Sequence, residues 1–203
     1  MKNNIEKVGI LGGTFNPIHK GHIFLATKSI EEMGLLSTFV LPLNDPPHKS
    51  KPKVSNQNRL DMVFLAIEGY ANIKCLDLEL RESGKTFTIN TLKKLSKIYP
   101  EFEFNYIIGS DTLLELKNWK DYRSIFDYCS FICFERTGIR KDLVDAEIRR
   151  INETFGEKIY LSKYKAPSVS SSMIREMISN GEDVSNYIDE KVYDYIKNHN
   201  IYI

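Results

Sequence analysis

Short apolar runs recur along the chain, separated by longer stretches in which apolar residues return every three or four positions. Val8 to Leu11, Thr38 to Pro42, Ile73 to Leu76, Phe104 to Ile108 and Phe131 to Phe134 predict strands. The later ones are nearly continuous in apolar character, as strands covered on both faces are. Between them, Gly21 to Met33, Asn56 to Glu68, Thr88 to Ile98 and Lys120 to Phe126 carry helical spacing. A short helix over Thr112 to Lys117 is expected with Asp111 as its N-cap, and another opens in the serines at 170–172 and runs to about Asn180, with Gly181 as its stop. Strand and helix alternation predicts an α/β fold of Rossmann type, a parallel sheet with helices on both faces. Residues 1–203 are expected to form one domain, with 170–203 a small C-terminal helical part. In such a sheet ligands gather at the carboxyl ends of the strands, near the point where the winding order reverses. Asn44 to Val54 contains Pro46, Pro47 and Pro52 and must be a loop.

Composition narrows the class without choosing a function. With 203 residues, 42% hydrophobic and 27% charged, the chain can bury a sizeable core. A formal net charge of +1 gives no reason to expect a nucleic-acid or membrane surface, and no stretch is long and apolar enough to span a bilayer. The first residues lack the apolar core of a secretion signal, so the expected location is cytoplasmic. Three cysteines, an odd number, argue against a disulfide framework, and Cys129 and Cys133 sit in an apolar run where buried thiols are ordinary. No cysteine or histidine spacing matches a zinc site. Oligomeric state is left open, a homo-oligomer included.

The chemistry concentrates at strand ends. Directly after the first strand comes Gly12-Gly-Thr-Phe-Asn-Pro-Ile-His-Lys-Gly-His22. Gly12 and Gly13 allow backbone to approach a ligand closely, and a helix starting near Lys20 offers an anion its positive end. His19 and His22, three apart, can point the same way from the first helical turn. The segment is neither a Walker loop nor a Gly-x-Gly-x-x-Gly fingerprint. It reads as a phosphate site, in which an imidazole beside phosphates can stay protonated near neutral pH. After the second strand, His48 and Lys49 place positive charge on the proline-stiffened loop. After the fourth, Ile107-Ile-Gly-Ser-Asp111 combines close approach at Gly109 with a carboxylate, Asp111, able to accept from ribose hydroxyls. Trp119 is the only tryptophan, a core anchor or a stacking plate. In the last motif Ser170, Ser171, Ser172 and Arg175 gather hydroxyls, N–H groups and a guanidinium at one helix start, more than a cap requires.

His19-Lys-Gly-His22 resembles the His-x-Gly-His signature of nucleotidyltransferases. Together with Pro46-Pro-His-Lys49, Ser83-Gly-Lys-Thr-Phe-Thr-Ile-Asn-Thr-Leu92, Ile107-Ile-Gly-Ser-Asp111 with Trp119, and Ser170-Ser-Ser-Met-Ile-Arg175, it is similar, in order, to the motifs of bacterial nicotinate mononucleotide adenylyltransferases. The resemblance covers almost the whole chain. It implies a Rossmann-like nucleotidyltransferase fold and an enzyme that transfers AMP from ATP to nicotinate mononucleotide in NAD biosynthesis. ATP and that mononucleotide would be its small-molecule partners, and Mg2+ its cofactor, with metal ligands not legible. It further implies that Gly12, Gly13, Thr14 and Phe15 with His19 and His22 hold the ATP phosphates, and that Gly109 and Asp111 meet the ribose. Ser170, Ser171 and Arg175 would close over the triphosphate, His19, His22 and Arg175 being catalytic. Lys49, Thr86, Phe87, Thr88 and Trp119 would serve the acceptor, with Trp119 on the pyridine ring.

Three positions depart from the family habit: Asn16 for Asp, Ser172 for Thr and Phe87 for Tyr. The first two keep hydrogen-bonding capacity, whereas Phe87 loses a hydroxyl. The nearest alternatives are a sister adenylyltransferase acting on nicotinamide mononucleotide or phosphopantetheine, and a silent nucleotide-binding regulator. The phosphopantetheine enzymes typically carry Thr where His19 stands. A silent relative would need the adenosine contacts but not His19, His22, Lys49 and Arg175 together.

Overall fold

A computed structural model describes residues 5–44, 52–82 and 84–203. Six strands form one all-parallel sheet: β1 (Glu6–Gly13), β2 (Ser37–Pro42), β3 (Ile73–Cys75), β4 (Phe102–Gly109), β5 (Cys129–Glu135) and β6 (Ile159–Lys165). Their order is β3-β2-β1-β4-β5-β6, so the winding reverses between β1 and β4 and opens a crevice at the ends of those two strands. That is where Gly12, Gly13 and Gly109 lie.

Alternate side chains along the central strands feed two cores. Leu11, Val40, Ile107 and Ile132 face α1 (Lys20–Met33), α2 (Asn56–Ile67), α7 (Ser171–Ser179) and α8 (Glu190–Asn198). Ile10, Tyr106, Ile108 and Phe131 face α3 (Thr88–Ile98), α4 (Ser110–Glu115), α5 (Tyr122–Ile125) and α6 (Lys141–Phe155). Ile174 and Ile178 of α7 and Val192 and Ile196 of α8 are buried in the first core, so the C-terminal helices are part of the wall behind the crevice.

Three expectations need correction. The helix expected over Lys120 to Phe126 shrinks to Tyr122–Ile125, because Asp121 stands at φ 51 and a 3-10 turn, Leu116–Asn118, comes first. The helix expected from Thr112 begins at Ser110 with Gly109 as its cap, so Asp111 lies in the first turn, where its charge meets the positive helix end, and is not the N-cap. The pair α6 and β6 was not among the expected elements. β6 lies at the sheet edge and mixes buried Ile159 and Ser162 with exposed Tyr160, Lys163 and Lys165, unlike the apolar inner strands.

Candidate active site

The turn after β1 is held from behind by donors from distant elements. Arg59 of α2, fully buried, donates from Nη1 to the Thr14 carbonyl at 2.5 Å and from Nη2 to Asn56 Oδ1 at 2.7 Å. Arg175 donates to the Asn16 carbonyl at 2.8 Å, Ser171 Oγ to the Pro17 carbonyl at 2.8 Å, and Tyr202 Oη to Asn16 Oδ1 at 2.5 Å. With three carbonyls and a side-chain amide so fixed, the loop has little freedom left. Phe15 accepts a left-handed φ of 47 and is buried. Neither glycine tolerates a side chain: a Cβ at Gly12 would stand 2.1 Å from Tyr106 Oη, and one at Gly13 2.7 Å from the Phe15 ring.

His19 caps α1, and its backbone N–H donates to His22 Nδ1 at 3.2 Å. That bond requires Nδ1 of His22 to be bare and leaves its proton on Nε2 when the ring is neutral. The two imidazoles stack, with centroids 3.6 Å apart and planes 21° off parallel, and the Phe15 ring meets His22 edge-on at 4.9 Å. Gly21 permits the arrangement, since a Cβ there would lie 2.6 Å from Val169 Cγ1 and 3.0 Å from His19 Nδ1. Burial, and then the nearby Arg136 charge, push His19 down to about 4. It is therefore neutral at pH 7 in this structure, and the protonated imidazole expected beside phosphates requires their negative charge next to the ring.

Across the crevice, Gly109 lies under an ion pair that sequence reasoning missed. Arg136, just past β5, meets Asp111 at 3.0 Å, and its backbone N–H donates to the buried Ser110 Oγ at 2.9 Å. A Cβ on Gly109 would fall 2.4 Å from Asp111 Oδ1 and 2.5 Å from Arg136 Nε. At the start of α7 the three serines divide their work. Ser170 is the N-cap and accepts from the Met173 N–H at 3.2 Å, Ser171 is committed to Pro17, and Ser172 accepts from Arg175 at 3.2 Å. The helix end is thus offered to an anion through its N–H groups, the guanidinium being positioned by Asn16 and Ser172.

The other half of the cavity is apolar and aromatic with buried polar atoms. Trp119 is half-buried and packs edge-on against Tyr106 at 5.9 Å. Phe87 caps α3, with Lys120 Nζ 4.5 Å from its ring centroid. Thr86 is buried, and so is Glu79, which accepts from Thr91 Oγ1 at 2.6 Å and whose carboxyl is raised by burial. These groups, the β1 turn, both histidines, Gly109, Asp111, the serines and Arg175 border one cavity of about 1200 Å³. That is room for two nucleotides rather than one small ligand. Every expected site residue lines or frames it except Lys49, which lies outside the described residues with Pro46, Pro47 and His48.

Comparison with known proteins follows the same line. The model of the cytidylyltransferase-like family matches residues 10–177. The chain is 33% identical over 199 residues to a Clostridium tetani protein named "Probable nicotinate-nucleotide adenylyltransferase", covering 98% of this chain and all of that one. A protein of the same name from Clostridium botulinum strain Kyoto is 36% identical over 195 residues, covering 95% and 97%. Among solved structures, the nicotinic acid mononucleotide adenylyltransferase of Plasmodium falciparum complexed with NaAD superposes with a TM-score of 0.77 at 23% identity, over 97% of each chain. At that identity the likeness speaks for the fold.

Proposed function

We infer the function from one premise: this chain belongs to the cytidylyltransferase-like family and, within it, to the nicotinate-nucleotide adenylyltransferases. It is a nucleotidyltransferase that moves AMP from ATP to nicotinate mononucleotide, giving nicotinate adenine dinucleotide and pyrophosphate in NAD biosynthesis. A phosphate oxygen of the acceptor attacks the α-phosphorus, the bond from that phosphorus to the bridging oxygen breaks, and pyrophosphate leaves with the electron pair. The protein holds the two nucleotides in line and opposes the charge that grows on the departing oxygens.

The observation that carries this reading is convergence on one cavity at the β1/β4 switch point. Stacked histidines, a helix N-terminus and Arg175 border the same cavity as Thr86, Phe87 and Trp119. In this reading Gly12, Gly13, Thr14, Phe15, His19 and His22 take the ATP phosphates. Gly109 and Asp111 take the ribose, and Ser170, Ser171 and Arg175 the triphosphate. His22 donates through Nε2, and Arg175 keeps guanidinium N–H groups beyond the two it uses internally. Thr86, Phe87, Thr88 and Trp119 serve the pyridine ring and its carboxylate, and Lys49 the acceptor side.

Magnesium accompanies the ATP in this reading and neutralises phosphate charge. The residues suit a cation carried in on the triphosphate: Thr14 Oγ1 is buried beside the cavity with no hydrogen-bond partner among the described residues, and Asp111 borders the same space. Magnesium takes most of its ligands from substrate phosphates and water. A cytoplasmic location goes with the biosynthetic role, and among the described residues no helix is long and apolar enough to cross a membrane.

The test is pyrophosphate release from ATP and magnesium with nicotinate mononucleotide, nicotinamide mononucleotide or phosphopantetheine as acceptor. Nicotinate should be preferred over nicotinamide by about tenfold or more in kcat/KM, because donors that suit a carboxylate leave an amide –NH2 unpaired. Equal values for the two pyridine nucleotides would refute the acceptor assignment. Release with phosphopantetheine alone would point to the sister activity, and none with any acceptor to a nucleotide-binding regulator.

A further inference from the structure

Glu79 presents a conflict that the proposed acceptor leaves unresolved. It sits in the turn after β3 with 3% of its surface exposed, and it borders the same cavity as Thr86, Phe87 and Thr88. A pocket meant for a nicotinate carboxylate is thus walled by another carboxyl. One of its oxygens accepts from Thr91 of α3. The other, Oε2, is buried without a hydrogen-bond partner among the described residues, and so is Thr86 Oγ1. The two side chains lie near enough for the threonine to bear on the carboxyl's titration.

A hydroxyl has one proton, and its direction is decided by whichever neighbour must take or give one. If Glu79 is ionised, it draws the Thr86 proton to itself and the threonine shows lone pairs to the pocket, a surface that suits an amide –NH2. If Glu79 is protonated, its own O–H donates to Thr86 Oγ1, and the threonine proton turns outward to meet a carboxylate. We propose that Glu79 is a positioning residue for acceptor choice: as the neutral acid it orients the Thr86 hydroxyl as a donor, and its ionisation reverses the pocket toward nicotinamide.

The surroundings favour the neutral acid. Burial raises the carboxyl, and the hydrogen bond from Thr91 and the nearby Thr86 hydroxyl oppose that only in part. The charged and titratable groups facing it are Lys94 of α3, which is paired with Glu82, and the fully buried Tyr106 of β4, itself raised by burial. Neither supplies a full counter-charge: Lys94 is shared with Glu82, and Tyr106 is neutral.

This inference rests on the nicotinate reading, and the experiment separates the two. The ratio of kcat/KM for nicotinate to nicotinamide mononucleotide is measured from about pH 5.5 to 9 in wild type, Glu79→Gln and Glu79→Leu; the 5′-phosphate common to both acceptors cancels in the ratio. Wild type should lose about tenfold in preference as pH rises. Glu79→Gln cannot ionise, yet it donates to Thr86 through its –NH2 while its oxygen accepts from Thr91, so its preference should stay high and flat. Glu79→Leu should be unselective at every pH, and binding of the two mononucleotides by calorimetry gives the same comparison if its turnover is too low. A flat wild-type ratio, or a Glu79→Gln enzyme as unselective as Glu79→Leu, overturns the proposal while leaving the activity in place. A wild type that uses neither pyridine nucleotide fails the functional reading itself.

Discussion

Acidification from pH 7 to pH 5 should remove about 2 kcal/mol of folding stability through His19 alone. The imidazole is held down to about 4 in the folded protein, against 6.5 for an ordinary histidine, chiefly by burial and secondarily by Arg136. Between those two values the unfolded chain binds a proton and the folded chain does not. The stability is therefore whole above 6.5 and drains as pH falls toward 4, with a limit of about 3 kcal/mol. Urea unfolding of wild type and His19→Asn at both pH values isolates this share, since the carboxylates titrate alike in both proteins and asparagine still serves as an N-cap. An equal loss of stability in the two proteins would refute the argument. The same reasoning fixes the sign of a second measurement. A triphosphate beside the ring raises its pKa, so ATP binding near pH 6 should take up protons, seen by calorimetry in buffers of different ionisation enthalpy; proton release would contradict it.

His22→Ala should lower kcat by roughly two to three orders of magnitude with a smaller change in KM for ATP, because a donor aimed at developing charge acts mainly in the transition state; near-normal kcat in steady-state assays would remove it from the mechanism. Arg59→Ala leaves the Thr14 carbonyl and Asn56 Oδ1 without donors. The cost should be about 2 to 4 kcal/mol, a fall in Tm of roughly 5 to 15 °C by calorimetry, and an unchanged Tm would show that water replaces the guanidinium. Trp119→Ala should weaken both pyridine mononucleotides alike and leave their ratio intact, since stacking does not distinguish acid from amide; a changed ratio would give the indole a part in selection.

The inner strands were legible because they are buried on both faces and so are written as apolar runs. β6 was not, although Val144, Ile148, Ile151 and Phe155, spaced four, three and four apart, carry the helix that leads to it. The edge strand Ile159–Lys165 leaves Tyr160, Lys163 and Lys165 exposed, and its lysines and tyrosines break the apolar signal. At the site, residues next to glycines at strand ends were readable, because there the local sequence already implies an exposed backbone and a ligand. Arg136 could have been found by the same rule, as the charge that follows the run Phe131–Glu135. Arg59 could not: within α2 it looks like any helical arginine. Nothing in its neighbourhood announces that it points inward to a carbonyl 45 residues away.

What pattern reading cannot reach is the way the two halves of the cavity are tied together. From Thr14 the chain of bonds runs to Arg59, then to Asn56 Oδ1, while Asn56 Nδ2 donates to Asn44 Oδ1 at 2.8 Å and Asn44 Nδ2 to the Glu82 carbonyl at 2.7 Å. One end is the phosphate turn, and the other is the segment that leads into Thr86. Each amide in the series gives and accepts at once, so neither can rotate without breaking a bond in a partly or fully buried place. A guanidinium whose hydrogen bonds go to a carbonyl and an amide oxygen is costly to bury, and a neutral packing residue would be cheaper if stability were the sole requirement. Arg59 makes physical sense as a spacer of fixed length and fork geometry: it sets the phosphate turn against the acceptor segment, and in-line attack depends on that distance.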